Sequence, residues 1–159
     1  MTAATSIARA LLVGAALTLV QDAALGAEGG AAIFAEHCVS CHGTRGEGVP
    51  GFGPPLAGPA AARFKTPGGR EYLAQVVVYG ISGVFELAGQ RQFAAMTPQG
   101  KLTDDELAAV LNHVLHDFNG KDMDSADIVA ATDIATARRI ARTPFELHKT
   151  KTALERSKP

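Results

Sequence analysis

The two cysteines of this 159-residue chain lie three positions apart, and a histidine directly follows the second one. The segment reads Cys38-Val39-Ser40-Cys41-His42. Two cysteines cannot form the disulfide framework that stabilises small secreted domains. A tetrahedral zinc site takes four ligands, and the chain has no second cysteine pair. A redox-active cysteine pair typically follows a strand, and none is predicted before this segment. The pattern therefore indicates a different and specific chemical site.

The spacing Cys-x-x-Cys-His is the attachment signal for c-type haem. Two thiols can add to the two vinyl groups of the porphyrin, and two intervening residues in a helical turn give both sulfurs the necessary reach. The next side chain is then placed to ligate the iron. We therefore predict one covalently attached haem c, bound through Cys38 and Cys41, with His42 as the proximal iron ligand.

The second axial ligand must approach from the opposite face of the haem. On a helical wheel, His113 and His116 both point away from the apolar stripe of their predicted helix. His37 is too close to His42 in the sequence to cross to the other face. The candidates for this position are Met96, Met123, His37, His113, His116 and His148.

Met96 is the preferred second ligand. It lies in a segment predicted to be an irregular loop, and Pro98 limits the movement of that loop. Met123 lies in a polar stretch with little apolar support. Ordinary core packing of Met96, ligation by Met123 or a histidine, and an open iron site are the alternatives. A thioether ligand would raise the reduction potential of the haem.

The N-terminus has the features of an export signal. Arg9 precedes an apolar run from Ala10 to Val20, and small residues follow as far as Ala27. The run is too short for a membrane span, which takes roughly 20 residues. We predict that residues 1–27 form a cleaved signal peptide and that the mature protein is periplasmic, without a stable membrane span. The alternative is an apolar helix that packs on the domain.

Helices are predicted on both sides of glycine- and proline-rich loops. Apolar periodicity predicts a helix over residues 28–41 and another between residues 69 and 79, although three valines in the second also suit a strand. The segments 43–58 and 80–102 are predicted to be loops.

The final core helix has the clearest start. Thr103 and Glu106 form a capping box, and an apolar stripe continues to Phe118 before Asn119-Gly120 ends the helix. The more polar tail contains a possible helix over residues 126–141 and another that starts at residues 143–144.

Composition excludes two classes of protein. The formal net charge is −1, so the chain lacks the overall positive field that binds nucleic acid. Apolar residues make up 47% and charged residues 19%, which permits a packed core and argues against disorder.

Taken in this order, the motifs resemble those of class I c-type cytochromes. The resemblance covers about residues 30–118 and rests on the segments 38–43, 53–56 and 96–98 and on the capped helix start at 102–107. It implies an all-α fold of about three to five helices around one haem, with His/Met ligation. The domains would be a cytochrome c domain at 28–120 and a partly helical C-terminal extension at 121–159.

The resemblance also implies roles for several further residues. The carbonyl of Pro54 would accept a hydrogen bond from His42 and increase its basicity. The first and last helices would cross at Gly30 and Phe34, with His113 at the position of the usual aromatic residue. The tryptophan that often binds a haem propionate is absent, and its possible substitutes are Arg63, Arg70, Tyr72, Tyr79 and Arg91.

The function expected from this resemblance is that of a monohaem electron carrier, not an enzyme. Its redox partners would be a dehydrogenase or quinol-oxidising complex as donor and a terminal oxidase as acceptor. The alternative is the haem c subunit of one periplasmic dehydrogenase, with residues 121–159 as its docking element. A haem enzyme or gas sensor with an open iron site is a third possibility.

Overall fold

The computed structural model of the protein describes residues 29–156. The predicted signal peptide at 1–27 therefore lies outside the described residues, as do residue 28 and the last three residues. The described chain is predominantly helical with one small sheet. Its main elements in order are α1 (29–37), α2 (Val39–His42), α3 (Pro59–Phe64), α4 (Gly69–Tyr79), β1 (Ile81–Leu87), β2 (Gln90–Met96), α5 (Asp104–Asn112), α6 (Ala131–Arg139) and α7 (Pro144–Arg156).

The first predicted helix is present, but it is interrupted at Cys38. The chain makes a turn there, and α2 follows as one short helical turn. Gly43 ends α2 with φ 74°, a backbone conformation that side chains with a Cβ rarely adopt. The glycine- and proline-rich loop after it was predicted correctly as non-helical. Helix α3, with Pro59 in its first turn, was not predicted.

The predicted loop over residues 80–102 is wrong for its first part. Residues Ile81–Leu87 and Gln90–Met96 pair as an antiparallel hairpin, with Ile81 opposite Met96 and Leu87 opposite Gln90. The expectation of an all-α fold is thereby corrected. Ala88 and Gly89 form the two-residue turn, and both have positive φ, as the tight hairpin turn that matches strand twist requires. An alanine in this position is uncommon, so the turn carries no strong sequence signal.

Helix α5 starts at the predicted capping box. The Thr103 hydroxyl accepts from the Glu106 backbone N–H, and the Glu106 carboxylate accepts from the Thr103 N–H. The regular helix ends at Asn112, earlier than predicted, and continues as a π-helical turn over His113–Asp117. A π turn holds more residues than an α turn, so side chains beyond this turn point in directions that a regular helical wheel does not predict.

The core contains both the predicted domain and the predicted extension. Phe34 of α1, Leu107 of α5 and Ile134 of α6 are almost completely buried in one apolar cluster. A second cluster joins Ile81 of β1 to Leu147 of α7. Helices α6 and α7 therefore pack directly on α4, α5 and the hairpin. Within residues 29–156, no helix has the length and apolar character needed to cross a membrane.

Substitution Thr143→Ala is expected to destabilise the protein by about 1 kcal/mol, the usual cost of losing a helix N-cap. Thr143 caps α7, because its hydroxyl accepts from the Glu146 N–H while the Glu146 carboxylate accepts from the Thr143 N–H. Urea unfolding of the haem-loaded protein measures the change. Thr150→Ala is the control, since its hydroxyl bonds only to the Glu146 carbonyl of the same helix. An equal loss in both variants would contradict the cap.

The effect of Thr143→Ala should also depend on pH. Hydrogen bonds from Thr143 hold the pKa of the Glu146 carboxyl below its ordinary value of 4.5. A lowered pKa in the folded state stabilises the protein above pH 4.5, and this contribution is lost as the pH falls through the lowered value. The stability difference between wild type and variant should therefore narrow in acid. A stability difference between wild type and variant that stays constant from about pH 7 to about pH 3, a range on both sides of the carboxyl pKa, would contradict the role of Glu146 in the cap.

Candidate haem site

His42 ends α2 and is held in one orientation. Only 8% of the residue is exposed, and its ring Nδ1 lies 2.9 Å from the carbonyl oxygen of Pro54. The carbonyl can only accept, so Nδ1 carries the proton and donates. Nε2 then has a free lone pair, and no described residue makes a hydrogen bond to it. An imidazole fixed through one nitrogen and open at the other fits a metal ligand.

Burial controls the charge of His42. Loss of water around the ring lowers the pKa of His42, and the hydrogen bond to Pro54 opposes this effect only in part. The neutral ring is therefore favoured over the imidazolium. Only the neutral ring has the lone pair that binds iron.

The loop after α2 folds back onto the Cys38–His42 turn. The N–H of Gly48 donates to the His42 carbonyl at 2.7 Å, and the N–H of Val49 donates to the Cys41 carbonyl at 3.2 Å. Gly53 lies so close to the Cys41 backbone that a Cβ there would be 3.0 Å from the Cys41 carbonyl carbon. The absence of a side chain at Gly53 thus allows the next residue, Pro54, to present its carbonyl to His42.

The two cysteines are free thiols on the same turn. The backbone N–H groups of Cys41 and His42 both donate to the Cys38 carbonyl, at 3.2 and 2.9 Å. Cys41 is exposed and Cys38 is half-buried. Burial, with a smaller effect of Cys41, raises the pKa of the Cys38 thiol to about 11. Cys38 is therefore an uncharged thiol near neutral pH, unlike the low-pKa cysteines of redox disulfide sites.

Met96 lies at the end of β2 rather than in the irregular loop that was predicted. It is half-buried and packs against the cluster of Tyr72, Ile81 and Leu147. The hairpin that carries Met96 also contacts the loop that carries Pro54, because the Gln92 amide donates to the Gly51 carbonyl at 3.1 Å. Near this contact, a cleft of about 220 Å³ lies between residues 47–55 and residues 86–88.

The alternative axial ligands already have partners within the protein. Nε2 of His116 lies 3.1 Å from the Asp127 carbonyl, and Nε2 of His148 lies 2.8 Å from the Val84 carbonyl. His37 lies beside Glu36. Met123 packs on the edge of the large core cluster, away from the hairpin. Met96 stays the predicted second ligand.

His113 corrects one detail of the sequence interpretation. The helical wheel placed it away from the core, but its side chain is only 11% exposed. Its ring forms a cluster with those of Phe34 and Phe118, at centroid distances of 5.4 and 4.7 Å, and Nδ1 is 2.5 Å from Asp117. Gly30 packs against the α5 backbone at Ala109, next to His113. The predicted crossing of the first and last helices therefore exists, and His113 lies in it.

Most of the possible propionate ligands have other partners. Arg63 pairs with Glu155 at 2.8 Å, and Arg70 pairs with Asp133 at 3.2 Å. Tyr72 is buried, which raises its pKa above the ordinary range, and the Tyr79 hydroxyl donates to a backbone carbonyl. These four residues connect helices in the structure.

Within residues 29–156, no group of three or more histidine, cysteine, aspartate or glutamate side chains is arranged to hold a metal ion. The zinc alternative therefore finds no support in the described part of the chain. What the structure does assemble is a two-thiol turn ending in an oriented neutral imidazole.

Comparison with known proteins agrees with this geometry. The family model of cytochrome c matches residues 27–117. The chain belongs to the cytochrome c family. It is similar to a cytochrome c-552 from Thermus thermophilus, with 43% identity over 99 residues that cover 62% of this chain and 66% of that protein. A second cytochrome c-552 from Thermus thermophilus is 46% identical over 85 residues, which are 54% of this chain and 64% of the relative.

The matched region thus spans slightly less than two thirds of each of these cytochromes. Class I c-type cytochromes such as these carry covalently attached haem c and transfer electrons. The family match ends at residue 117, before α6 and α7.

Two contributions to the site were missed in the sequence. Gly53 was noted as part of the 53–56 motif, but its close contact with Cys41, which sets the position of Pro54, was not predicted. Gln92 was not noted at all, although it links the hairpin to the loop. A Gly-Pro pair can signal a tight backbone approach, but no sequence signal identifies Gln92.

Substitution Gly53→Ala is expected to destabilise the haem-loaded protein by about 1–3 kcal/mol, because the new methyl group overlaps the Cys41 backbone. The displaced Pro54 carbonyl should also lose its hydrogen bond to the His42 Nδ1 proton. Urea unfolding measures the stability, and NMR of the His42 ring proton reports the hydrogen bond.

Gly120→Ala is the matched control, because a Cβ at Gly120 meets no atom within 4 Å and its φ is not positive. If Gly53→Ala keeps both wild-type stability and the wild-type ring-proton signal, the close approach is not what positions Pro54.

Proposed function

We propose that this protein is a periplasmic monohaem c-type cytochrome that carries single electrons between redox partners. The observation that supports this most strongly is the hydrogen bond from His42 to Pro54 directly after the two-cysteine turn. This hydrogen bond leaves a neutral imidazole in which only Nε2 has a lone pair available to bind a metal. Membership of the cytochrome c family supplies the chemistry of the group that this nitrogen would ligate.

In this proposal, Cys38 and Cys41 form the thioether bonds to haem c. His42 and Met96 would ligate the haem iron, and Pro54 orients His42. When bound, the haem takes up and releases one electron at its iron. The protein residues hold it, exclude water and set its reduction potential.

The two axial residues influence the reduction potential in opposite directions. The Pro54 carbonyl increases the electron density on the His42 ring, which favours the oxidised iron. The neutral thioether of Met96 favours the reduced iron and raises the potential. If both side chains ligate the iron, no substrate would bind to it, and the haem would exchange electrons with its partners by outer-sphere transfer.

Export and partners follow from the same proposal. Haem c is attached outside the cytoplasm, and residues 1–27 have the pattern of a cleaved export signal. A dehydrogenase or quinol-oxidising complex would donate electrons, and a terminal oxidase would accept them. Because the net charge is −1, long-range electrostatic steering toward these partners should be weak.

The second candidate function is that of a haem c subunit in one dehydrogenase complex. In this function, residues 121–159 would have to be available to dock on the dehydrogenase. In the structure, Ile134 of α6 and Leu147 of α7 are both fully buried against the protein's own core. The apolar faces of these helices are therefore occupied, which favours the soluble carrier. The features of the extension that still suit a docked subunit are the exposed side chains of Ile128, Ile140 and Phe145.

Substitution Met96→Ala should abolish the weak sulfur-to-iron charge-transfer band of the oxidised protein, because the thioether ligand is removed. Absorption spectroscopy of the haem-loaded variant measures this. Met123→Ala is the control, since Met123 packs on the large core cluster rather than on the hairpin. Survival of the band in Met96→Ala, or its loss in Met123→Ala, would overturn the ligand assignment.

Size-exclusion chromatography of a native extract separates the two functions. A soluble carrier should elute at about 14 kDa, as expected for a single domain of this size without its signal peptide. Co-elution of the haem absorbance with a larger redox enzyme would instead support the subunit.

A further inference from the structure

The segment between Met96 and α5 has no regular structure of its own. Residues 97–102 connect the end of β2 to the capping residue of α5. Few internal contacts hold it: the Leu102 N–H donates to the Gln99 carbonyl, and the Gln99 N–H donates outward to the Val77 carbonyl of α4. Met96 itself is paired with Ile81 at the end of the hairpin, but the backbone that follows it depends on other parts of the protein for its position.

Arg138 of α6 supplies most of that support. Its Nε donates to the Asp104 carboxylate at 2.6 Å, its Nη1 to the Gly100 carbonyl at 2.8 Å, and its Nη2 to the Leu102 carbonyl at 2.5 Å. One planar guanidinium thus binds two carbonyls of the segment and the first residue of the following helix. A lysine could not make all three bonds, because its ammonium has no such fork of donors.

The same segment is confined from the other side by α4. Gly80 ends α4 with φ 71°, and a Cβ there would lie 3.0 Å from the Pro98 nitrogen and would also meet the Met96 carbonyl. The Tyr79 hydroxyl donates to the Arg138 backbone carbonyl at 2.7 Å, which connects α4 to α6. Met96 is therefore attached to a backbone that is held between the end of α4 and the Arg138 guanidinium.

We infer that Arg138, in the C-terminal extension, is a positioning residue for the Met96 iron ligand. This inference rests on the proposed function, in which Met96 ligates the haem. A ligand tethered to the protein competes with ligands from solution through its effective concentration at the metal, which falls as its tether loosens. Arg138 keeps the tether rigid. The extension that follows the matched family region thus becomes part of the haem site.

Imidazole binding to the oxidised, haem-loaded protein tests this directly, because added imidazole must displace the thioether. Arg138→Ala should increase the apparent imidazole affinity by about tenfold, since loss of a multiply bonded guanidinium at a half-exposed site is of this order. The charge-transfer band should also disappear at a lower temperature than in wild type. The imidazole affinity, measured well below the unfolding temperature, reports on the ligand, whereas the band temperature also falls with overall stability and is therefore compared with that of the control variant.

Arg70→Ala is the matched control. Arg70 also connects α6 to the rest of the protein, through an ion pair with Asp133 and a hydrogen bond to the Ile128 carbonyl. Its side chain is 40% exposed and that of Arg138 is 30% exposed, but Arg70 has no bond to residues 97–104. Arg70→Ala should lose stability yet keep the wild-type imidazole affinity.

Arg138→Lys provides a second test in case Arg138→Ala does not fold. It retains the charge and can still pair with Asp104, so it should fold and show an intermediate imidazole affinity. Wild-type affinity in both Arg138 variants would overturn the inference, as would an equal increase in Arg70→Ala. Met96→Ala is the reference for the proposed function: if its imidazole affinity and band match wild type, the ligand assignment fails, whatever the Arg138 variants show.

Discussion

The hydrogen bond between His42 and the Pro54 carbonyl is the interaction on which the site depends. It sets the tautomer of the imidazole, and burial keeps that imidazole neutral. This bond forms because the loop after α2 folds back against the Cys41 backbone. The closest contact is at Gly53, where a side chain would overlap that backbone. A local backbone constraint therefore decides the chemistry of a side chain eleven residues earlier.

The opposite side of the site is built in a different way. Met96 is held by a hairpin and an irregular segment, neither of which is stable without neighbours. Helix α7 packs Leu147 against the hairpin, and α6 binds the segment through Arg138. The two proposed ligand residues thus have separate supports: the loop after α2 for His42, and the C-terminal helices for Met96. The C-terminal extension therefore has a structural role, which is to support the hairpin and the segment that follows it.

Patterns within a few residues predicted the structure well. The capping box at Thr103, the start of α7 at Pro144 and the two-cysteine turn all depend on hydrogen bonds or covalent spacing within one helical turn. The hairpin was missed because its turn contains Ala88 in an unusual conformation, and its strands are stable only against α7. The helical wheel placed His113 away from the core because a wheel of one helix does not show where another helix packs: through Gly30, α1 contacts the side of α5 that carries Ala109 and His113.

The amino-acid sequence alone was enough to identify the cofactor and to predict the cysteine attachment points and the proximal histidine, since these depend on a five-residue spacing. It also narrowed the second ligand to one preferred methionine. Only the tertiary structure showed that Met96 lies on a strand, that His113 fills the helix crossing, and that Arg138 bonds to the segment after the ligand. These features join residues that are distant in the chain, and their geometry is set by the packing of whole helices rather than by any local preference.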